Sequence, residues 1–261
     1  MNDHPIKATI MGCGSSLGVP AAGNFWGECS PDNPKNRRTR SSLLLESQNT
    51  NVLVDTTVDV RDHLNHHNIN RLDGIIYSHA HSDHINGMDD LRVISYAMQH
   101  PIKAYSNQPT SDELHRRFDY VFHGGQEIYR PFMDLDVVDY GPHRIGDIRM
   151  DLFRQDHGTC DTIGIRINDF AYSVDMVDLD DEALKALKGV KTWVVDAAGY
   201  KRSEEDIYTH ANLARIEKWA EYLDVDQVYL IVLTGMMDYD VLCRELPAHI
   251  RPAYDGLSFE I

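Results

Sequence analysis

Between residues 79 and 84 the chain reads His-Ala-His-Ser-Asp-His, so His79, His81, Asp83 and His84 gather four ligand-type side chains within six residues. Imidazole nitrogen and carboxylate oxygen suit zinc and related divalent ions. The run follows Gly74-Ile75-Ile76-Tyr77, an apolar segment that reads as a buried strand. Side chains two apart on a strand project to one face, which brings His79 and His81 together, with Asp83 and His84 on the turn into the next helix. A chance polar loop is a poor account of such a cluster placed directly behind a buried strand. One loop cannot complete a metal site, however. His157, in Arg154-Gln155-Asp156-His157-Gly158, ends a predicted strand, and Asp175 ends the apolar run Phe170-Ala171-Tyr172-Ser173-Val174-Asp175. Taken singly, His157 reads equally well as a hydrogen-bonded edge histidine and Asp175 as a helix N-cap. The metal run's need for partners gives both their weight.

Strands that could position these groups are expected at residues 6–11, 42–46 and 52–54, the last two as a hairpin around Gln48-Asn49-Thr50-Asn51. Helices are expected over 59–68, 85–99 and 111–118, with a short strand at 102–105. Later strands are expected at 136–140, 148–154, 163–167, 170–173, 192–195 and 228–233, with helices at 181–187 and 211–223. Strands in runs, broken by helices, predict two sheets face to face with helices outside them. No internal repeat, low-complexity tract or Gly/Ser linker marks a second unit, so residues 1–261 are read as a single domain. The segment from Gly12 to Gly18 is only superficially a nucleotide-binding loop: the spacing is not G-x-G-x-x-G, and Pro20 and Gly23 stand where a helix should begin. The long loop that follows, to about Arg40, has a length that usually carries function.

Hydrophobic residues make up 42% and charged residues 25%, ordinary for a globular chain with a real core. No apolar stretch approaches the roughly 18 residues that span a bilayer, and the first residues do not read as a secretory signal. Cys13, Cys29, Cys160 and Cys243 are scattered without a C-x-x-C pair, which predicts reduced thiols in a cytoplasm. The net charge of −16 argues against a long polyanionic partner such as DNA or tRNA. One local exception is the basic run Lys35-Asn36-Arg37-Arg38-Thr39-Arg40, read with equal weight as a solvated loop or a phosphate-contacting one. Of the 14 histidines, His63, His66 and His67 lie in a polar helical stretch and are expected to be solvated.

The order H-x-H-x-D-H, a strand-end histidine, then an aspartate after an apolar strand resembles the metallo-β-lactamase superfamily. Finer details resemble its cyclic phosphodiesterase branch, including the phosphoribosyl 1,2-cyclic phosphodiesterases. They are the segment from Gly12 to Pro20, Val54-Asp55-Thr56, Tyr172-Ser173-Val174-Asp175, Thr209-His210-Ala211-Asn212-Leu213 and Asp238-Tyr239. The resemblance implies an α/β fold, a four-layer αββα sandwich with the site at one edge. It implies two divalent ions, zinc or manganese: His79, His81 and His157 on one, Asp83 and His84 on the other, Asp175 between them. A hydroxide held between them would attack a phosphoryl group whose charge the ions neutralise. His210 corresponds to a histidine near the substrate phosphate, able to protonate the leaving alkoxide or bind a phosphoryl oxygen. With Asp83 it completes the candidate catalytic groups. Its structural alternative is a capping or solvated residue at the start of the helix at 211–223.

Two departures stand out. The family draws a last ligand for the second ion from a histidine in a Leu-Thr-His type strand end, and an ungapped alignment on Asp238-Tyr239 puts Val232 there, with Ile231 for the threonine. Valine cannot coordinate, so the second site is expected to be weaker. Some members also carry a structural zinc on clustered cysteines in the early loop, where this chain has only Cys29, and none is expected. The leading expectation is hydrolysis of a small cyclic phosphate or nucleotide-type phosphodiester. A tRNA 3′-end endonuclease shares the fold and the metal run, but the charge argues against it. Thiolester or β-lactam hydrolysis fits the bare metal run but not its flanks. Val232 motivates a further alternative, a non-catalytic phosphate- or nucleotide-binding member.

Overall fold

Leu43 and Leu45 belong to one buried cluster and Leu44, between them, to another. A strand apolar on both faces lies in a sheet covered on both sides. Val52 and Val54 against Leu53 repeat the pattern one strand over. The computed structural model describes residues 2, 4–125 and 130–261, and in it these strands form part of a sandwich. The first sheet comprises β1 (Lys7–Gly12), β2 (Ser42–Glu46), β3 (Asn51–Val54), β4 (Gly74–Ile76), β5 (Ile102–Ser106), β6 (Met133–Val137) and, from near the chain's end, β14 (Ser258–Glu260), ordered β14-β1-β2-β3-β4-β5-β6. The second comprises β7 (Gly141–Ile145), β8 (Ile148–Asp156), β9 (Asp161–Ile167), β10 (Phe170–Ser173), β11 (Thr192–Asp196), β12 (Gln227–Ile231) and β13 (Ile250–Pro252), ordered β7-β8-β9-β10-β11-β12-β13.

One apolar cluster joins residues of both sheets, including Ala8, Ile10, Leu45, Met150, Leu152 and Ile165. Outside the first sheet, α1 (Val60–His66), α2 (Ser82–Ile85), α3 (Arg92–Met98) and α4 (Gln108–His123) bring Leu64, Ile85, Ile94 and Leu114 onto Leu44, Leu53 and Ile75. Beside the second sheet, α5 (Asp181–Leu187) and α6 (Leu213–Leu223) contribute Leu187 and Ile216, with Trp219 against Trp193 at 6.4 Å between ring centroids. The architecture is the expected αββα sandwich.

The two sheets share one strand plan. From β14 to β3 every pairing is antiparallel, and from β3 to β6 every pairing is parallel. From β7 to β10 and from β10 to β13 the same change occurs. No sequence repeat announces this topological repeat.

Several expectations need correction. The helix expected at 85–99 is broken: α2 ends at Ile85, a 3₁₀ turn spans Met88–Leu91, and α3 follows. Gly87 is the reason. Its amide donates to Thr56 O at 2.9 Å, and a Cβ there would lie 1.9 Å from Thr57 O, so the chain is drawn against its neighbour where a helix would hold it away. The strand expected at 136–140 is β6, three residues earlier, because it takes its register from β5, with Ile102 opposite Met133. The helix expected at 111–118 runs from Gln108, capped by Asn107 with Pro109 in its first turn. Strands β7, β13 and β14 and helix α7 (Tyr239–Glu245) were not expected; β13 and β14 have only three residues each, too few for a periodic signal.

His63 is buried rather than solvated, its Nε2 2.7 Å from Thr39 Oγ1, and Thr39 in turn donates to Asp255 at 2.7 Å. The basic run fits neither of its two readings well. Arg38 is buried and donates to Thr234 O and Asn36 Oδ1, both at 3.3 Å. Lys35 lies over the rings of Tyr239 and Tyr254, and Arg40 pairs with Asp59 at 3.0 Å. Only Arg37 is exposed, its guanidinium 5.2 Å over the ring of Trp26. Arg38 and Lys35 pin the long early loop to the chain after β12, and Arg40 pins it to the start of α1. All four cysteines are free thiols, and among the described residues no helix is long and apolar enough to cross a membrane.

Candidate metal centre

Strand β4 ends at Ile76, and Tyr77 and Ser78 continue, buried, to His79. His81 is exposed, and Asp83 and His84 lie in the single turn of α2. Across the sandwich, His157 follows β8 directly and Asp175 stands two residues beyond β10. Gly158, at φ +78, lets the chain turn away after His157; a Cβ there would lie 2.0 Å from Tyr208 O. Asp175 itself is left-handed, at φ 46, and Thr162 Oγ1 on β9 donates to its carbonyl at 3.0 Å.

These elements bring all six candidate ligands together. Ligand atoms of His79, His81, His157 and Asp175 lie within 4.8 Å of one another, as do those of Asp83, His84 and Asp175. Asp175 Oδ2 is 3.6 Å from His79 Nε2, 3.6 Å from His157 Nε2 and 3.4 Å from His84 Nε2, so one carboxylate belongs to both groups. His79 Nε2 and Asp175 Oδ1 are buried and have no hydrogen-bond partner in the protein. Buried polar atoms are rarely left so. A nitrogen–oxygen donor set with orphaned atoms at its centre fits a divalent ion.

The rings are oriented from behind. His84 Nδ1 is 2.7 Å from Asp55 Oδ2, His157 Nδ1 is 2.6 Å from the carbonyl of Thr209, and His79 Nδ1 is 3.1 Å from Ser78 Oγ. Partners on Nδ1 leave Nε2 to the centre, the arrangement that fixes metal-binding imidazoles. Burial, reinforced by His84, holds His79 well below the usual imidazole range, and burial with His157 lowers His81. Both are then neutral, as a ligand must be. Burial opposes ionisation of Asp175, yet His84 and His79 hold its carboxyl well below the ordinary value. Burial likewise opposes charge on His84, but Asp175 and Asp55 outweigh it and raise that imidazole.

His210 lies beside this centre, 5.0 Å from His157 between ring centroids. It caps nothing: the N-cap of α6 is Asn212, whose Oδ1 accepts from Arg215 N. Its Nδ1 is 2.6 Å from Oδ2 of Asp196, a fully buried carboxylate that also accepts from the amides of Met176 and Ala198, both at 2.9 Å. Burial lowers His210, but Asp196 outweighs it and brings the imidazole to about 9. Asp196 is a site residue that the sequence expectations lack. Its signal was the one that flagged Asp175, a carboxylate closing an apolar run, here Trp193-Val194-Val195-Asp196. Asp55 stood in a quoted segment without a role.

Val232 follows the end of β12, whose Ile231 pairs with Asp196 on β11, so it lies on the same sheet edge. It is buried and left-handed, at φ 57. A β-branched residue is a true outlier there. The strand end thus has the backbone of Asp175 but an apolar side chain.

A model of the Beta-lactamase superfamily domain matches residues 50–231. The chain is 28% identical over 259 residues to a Porphyromonas gingivalis protein named Octanoyltransferase, covering 97% of this chain and 51% of that one, so it spans about half of this curated relative. It is 28% identical to a crystal structure described as a new diphosphatase from the PhnP family, with a TM-score of 0.88 over 98% of this chain and 97% of that one. The metallo-beta-lactamase fold protein YhfI from Bacillus subtilis matches in fold, at 19% identity and a TM-score of 0.76, over 99% of this chain and all of the other. With the family model spanning both halves of the ligand cluster, from β3 to the end of β12, the chain belongs to the beta-lactamase superfamily and has its metallo-hydrolase fold.

Proposed function

We propose that this hydrolase is a metal-dependent phosphodiesterase acting on a small cyclic phosphate or nucleotide-type phosphodiester. The observation that carries the reading is two histidine-rich ligand groups sharing Asp175, with the hydrogen-bonded His210–Asp196 pair gathered on the same carboxylate. His79, His81 and His157 would hold one ion, Asp83 and His84 a second, and Asp175 both. When bound, divalent ions such as zinc or manganese supply Lewis acidity and make water a nucleophile near neutral pH. The protein's own part is positioning and proton transfer. Asp55, Thr209 and Ser78 hold the ligand rings in orientation. Asp196 occupies His210 Nδ1 and leaves Nε2 to substrate; the protonated ring donates to the leaving alkoxide as the phosphorus–oxygen bond breaks.

The PhnP-family diphosphatase supports a phosphoryl substrate. Net charge supports a small one, as does the use of Lys35, Arg38 and Arg40 in internal contacts, which leaves little of the basic run to grip a polyanion. Turnover of bis-p-nitrophenyl phosphate, measured alongside metal content per chain, tests the reading. Ribose 1,2-cyclic phosphate or a cyclic nucleotide should outcompete a pre-tRNA bearing a 3′ trailer. Metal-loaded protein that turns over no phosphodiester would establish instead the binding-only reading that Val232 favours, and efficient trailer removal at physiological salt would reverse the substrate order.

A further inference from the structure

Across β7, β8 and β9, Arg144 stands opposite Arg149 and Asp151 opposite Arg166, and strand alternation puts all four on one face. Ile145, Ile148, Met150 and Ile165, on the other face, belong to the cluster between the sheets, so the charged face is the outer one. It is buried at Phe153 but exposed at Arg149 and Asp151. There it opens into a cleft of about 1050 Å³, lined by Arg144, Arg149, Arg166, Asp151 and Asp169. Arg149 lies near the start of β8 and His157 follows its end, roughly 25 Å away at the rise of a strand. The cleft is separate from the ligand cluster.

Arg154, further along β8, is paired with Asp161 at 2.7 Å and Asp180 at 3.0 Å. Arg144 and Arg166 make no ion pair among the described residues. Backbone carbonyls hold them instead. Arg144 Nε donates to Gly146 O at 2.7 Å, while Arg166 Nε donates to Asn168 O at 3.0 Å and its Nη1 to Ala186 O. Each guanidinium is thereby fixed, with both Nη of Arg144 and Nη2 of Arg166 left without a protein acceptor among the described residues. Gly189, also in the lining, keeps a side chain off that Nη2, since a Cβ there would stand 3.7 Å from it. Guanidinium groups held in place and short of acceptors suit phosphate and carboxylate oxygens. In a chain of net charge −16, three of them in one cleft make a local attraction for anions.

We infer that this cleft is a second ligand site, for a small hydroxylated anion: a sugar phosphate or a sugar acid. Its charged oxygens meet Arg144 and Arg166, and its hydroxyls donate to Asp151 and Asp169. The two arginines stand two strands apart, roughly 10 Å across the sheet, a span that two long side chains and one such molecule close. The volume lies at the upper end of the range for small-molecule sites. The inference stands apart from the phosphodiesterase reading.

Calorimetric titration of the full metal-loaded chain with glucose 6-phosphate, gluconate and glucose tests it. One or both anions should bind, the stronger identifying the source of charge, and glucose should not. Arg144→Gln and Arg166→Gln should each weaken the anion about 10-fold or more, with metal content unchanged. Arg144 lies on an edge strand, so its variant remains a test if loss of Arg166 disturbs the fold. Binding of neither anion overturns the inference, as does glucose binding equally well. So does anion binding that survives both substitutions and vanishes when the metal is stripped, which would place the anion at the metal centre. A dimer seen by light scattering in the wild type and abolished in both variants would overturn it too, giving the face to a second copy.

Discussion

The two sheets solve one backbone problem in the same way and use the result differently. Each changes from antiparallel to parallel pairing at its fourth strand, and soon after that strand each has a left-handed aspartate, Asp55 at φ 65 after β3 and Asp175 at φ 46 after β10. A hydroxyl on the neighbouring strand supports each bend: Ser42 Oγ donates to Val54 O at 2.8 Å and reaches Asp55 O at 3.3 Å, while Thr162 Oγ1 reaches Val174 O at 3.4 Å and Asp175 O at 3.0 Å. Asp175 stands among five histidines, His79, His81, His84, His157 and His210, with an unpartnered oxygen. Asp55 is spent on protein groups, accepting from Ser78 N and Ser78 Oγ and holding His84 Nδ1, each at 2.7 Å. One backbone device therefore supplies a candidate ligand in one sheet and a ligand's support in the other. What separates them is which partners the rest of the fold brings to each oxygen.

Breaking the Asp175 side of this comparison should have the largest effect. Asp175→Ala removes a carboxylate common to both ligand groups, so both ions should be lost or loosened, with turnover falling roughly 10³-fold, the scale of several kcal/mol of transition-state stabilisation. Metal analysis after dialysis, together with kinetics, measures it; a variant that keeps two ions and most of its activity would remove Asp175 from the centre.

His210→Ala comes next. It should keep the metal content and lose about 10²-fold in turnover, as expected for a general acid. Parallel loss of metal would make His210 a ligand instead.

Asp55→Asn tests the support role. Loss of a group that orients a metal-binding imidazole costs roughly 10–100-fold in affinity. Calorimetric titration should show one ion weakened, the one on Asp83 and His84, and the other intact. Two equally weakened ions would mean that Asp55 acts on the whole fold rather than through His84.

Val232→His sharpens the comparison from the second sheet. The group on Asp83 and His84 has three protein ligands against four for its neighbour. The unmodified chain should therefore fill one site before the other, with turnover rising as metal is added, and the substitution should tighten the second ion and raise activity several-fold. Tight binding of two ions before the change, and no difference after it, would mean that another residue completes the site.

The smallest effect on catalysis concerns His63, buried on α1. Burial brings its imidazole from 6.5 to about 4. The folded state refuses a proton that the unfolded chain accepts, so the stability tied to neutral His63 is full above pH 6.5 and is lost as pH falls toward 4. The full span is worth about 3 kcal/mol. Urea unfolding at pH 7 and pH 5 should show less acid sensitivity in His63→Gln than in the wild type, at near-equal turnover at pH 7. Equal acid sensitivity would place the titration elsewhere.

The sequence by itself determined the ligand run, because four chemically unusual side chains within six residues behind an apolar strand need no distant information. It predicted the sandwich as well, since strands in runs broken by helices imply two sheets face to face with helices outside them. His157 and Asp175 were legible only as partners that the first run required, and Asp196 carried the same signal without a motif to call on it. Tertiary structure alone decided the rest. It decided that Asp175 is shared and Asp55 is not, that His63 is buried, and that Arg38 and Lys35 lock a loop instead of meeting phosphate. Which partner a carboxylate or a cation finds depends on contacts across well over a hundred residues of chain, such as Arg38 with Thr234, and local sequence holds no record of them.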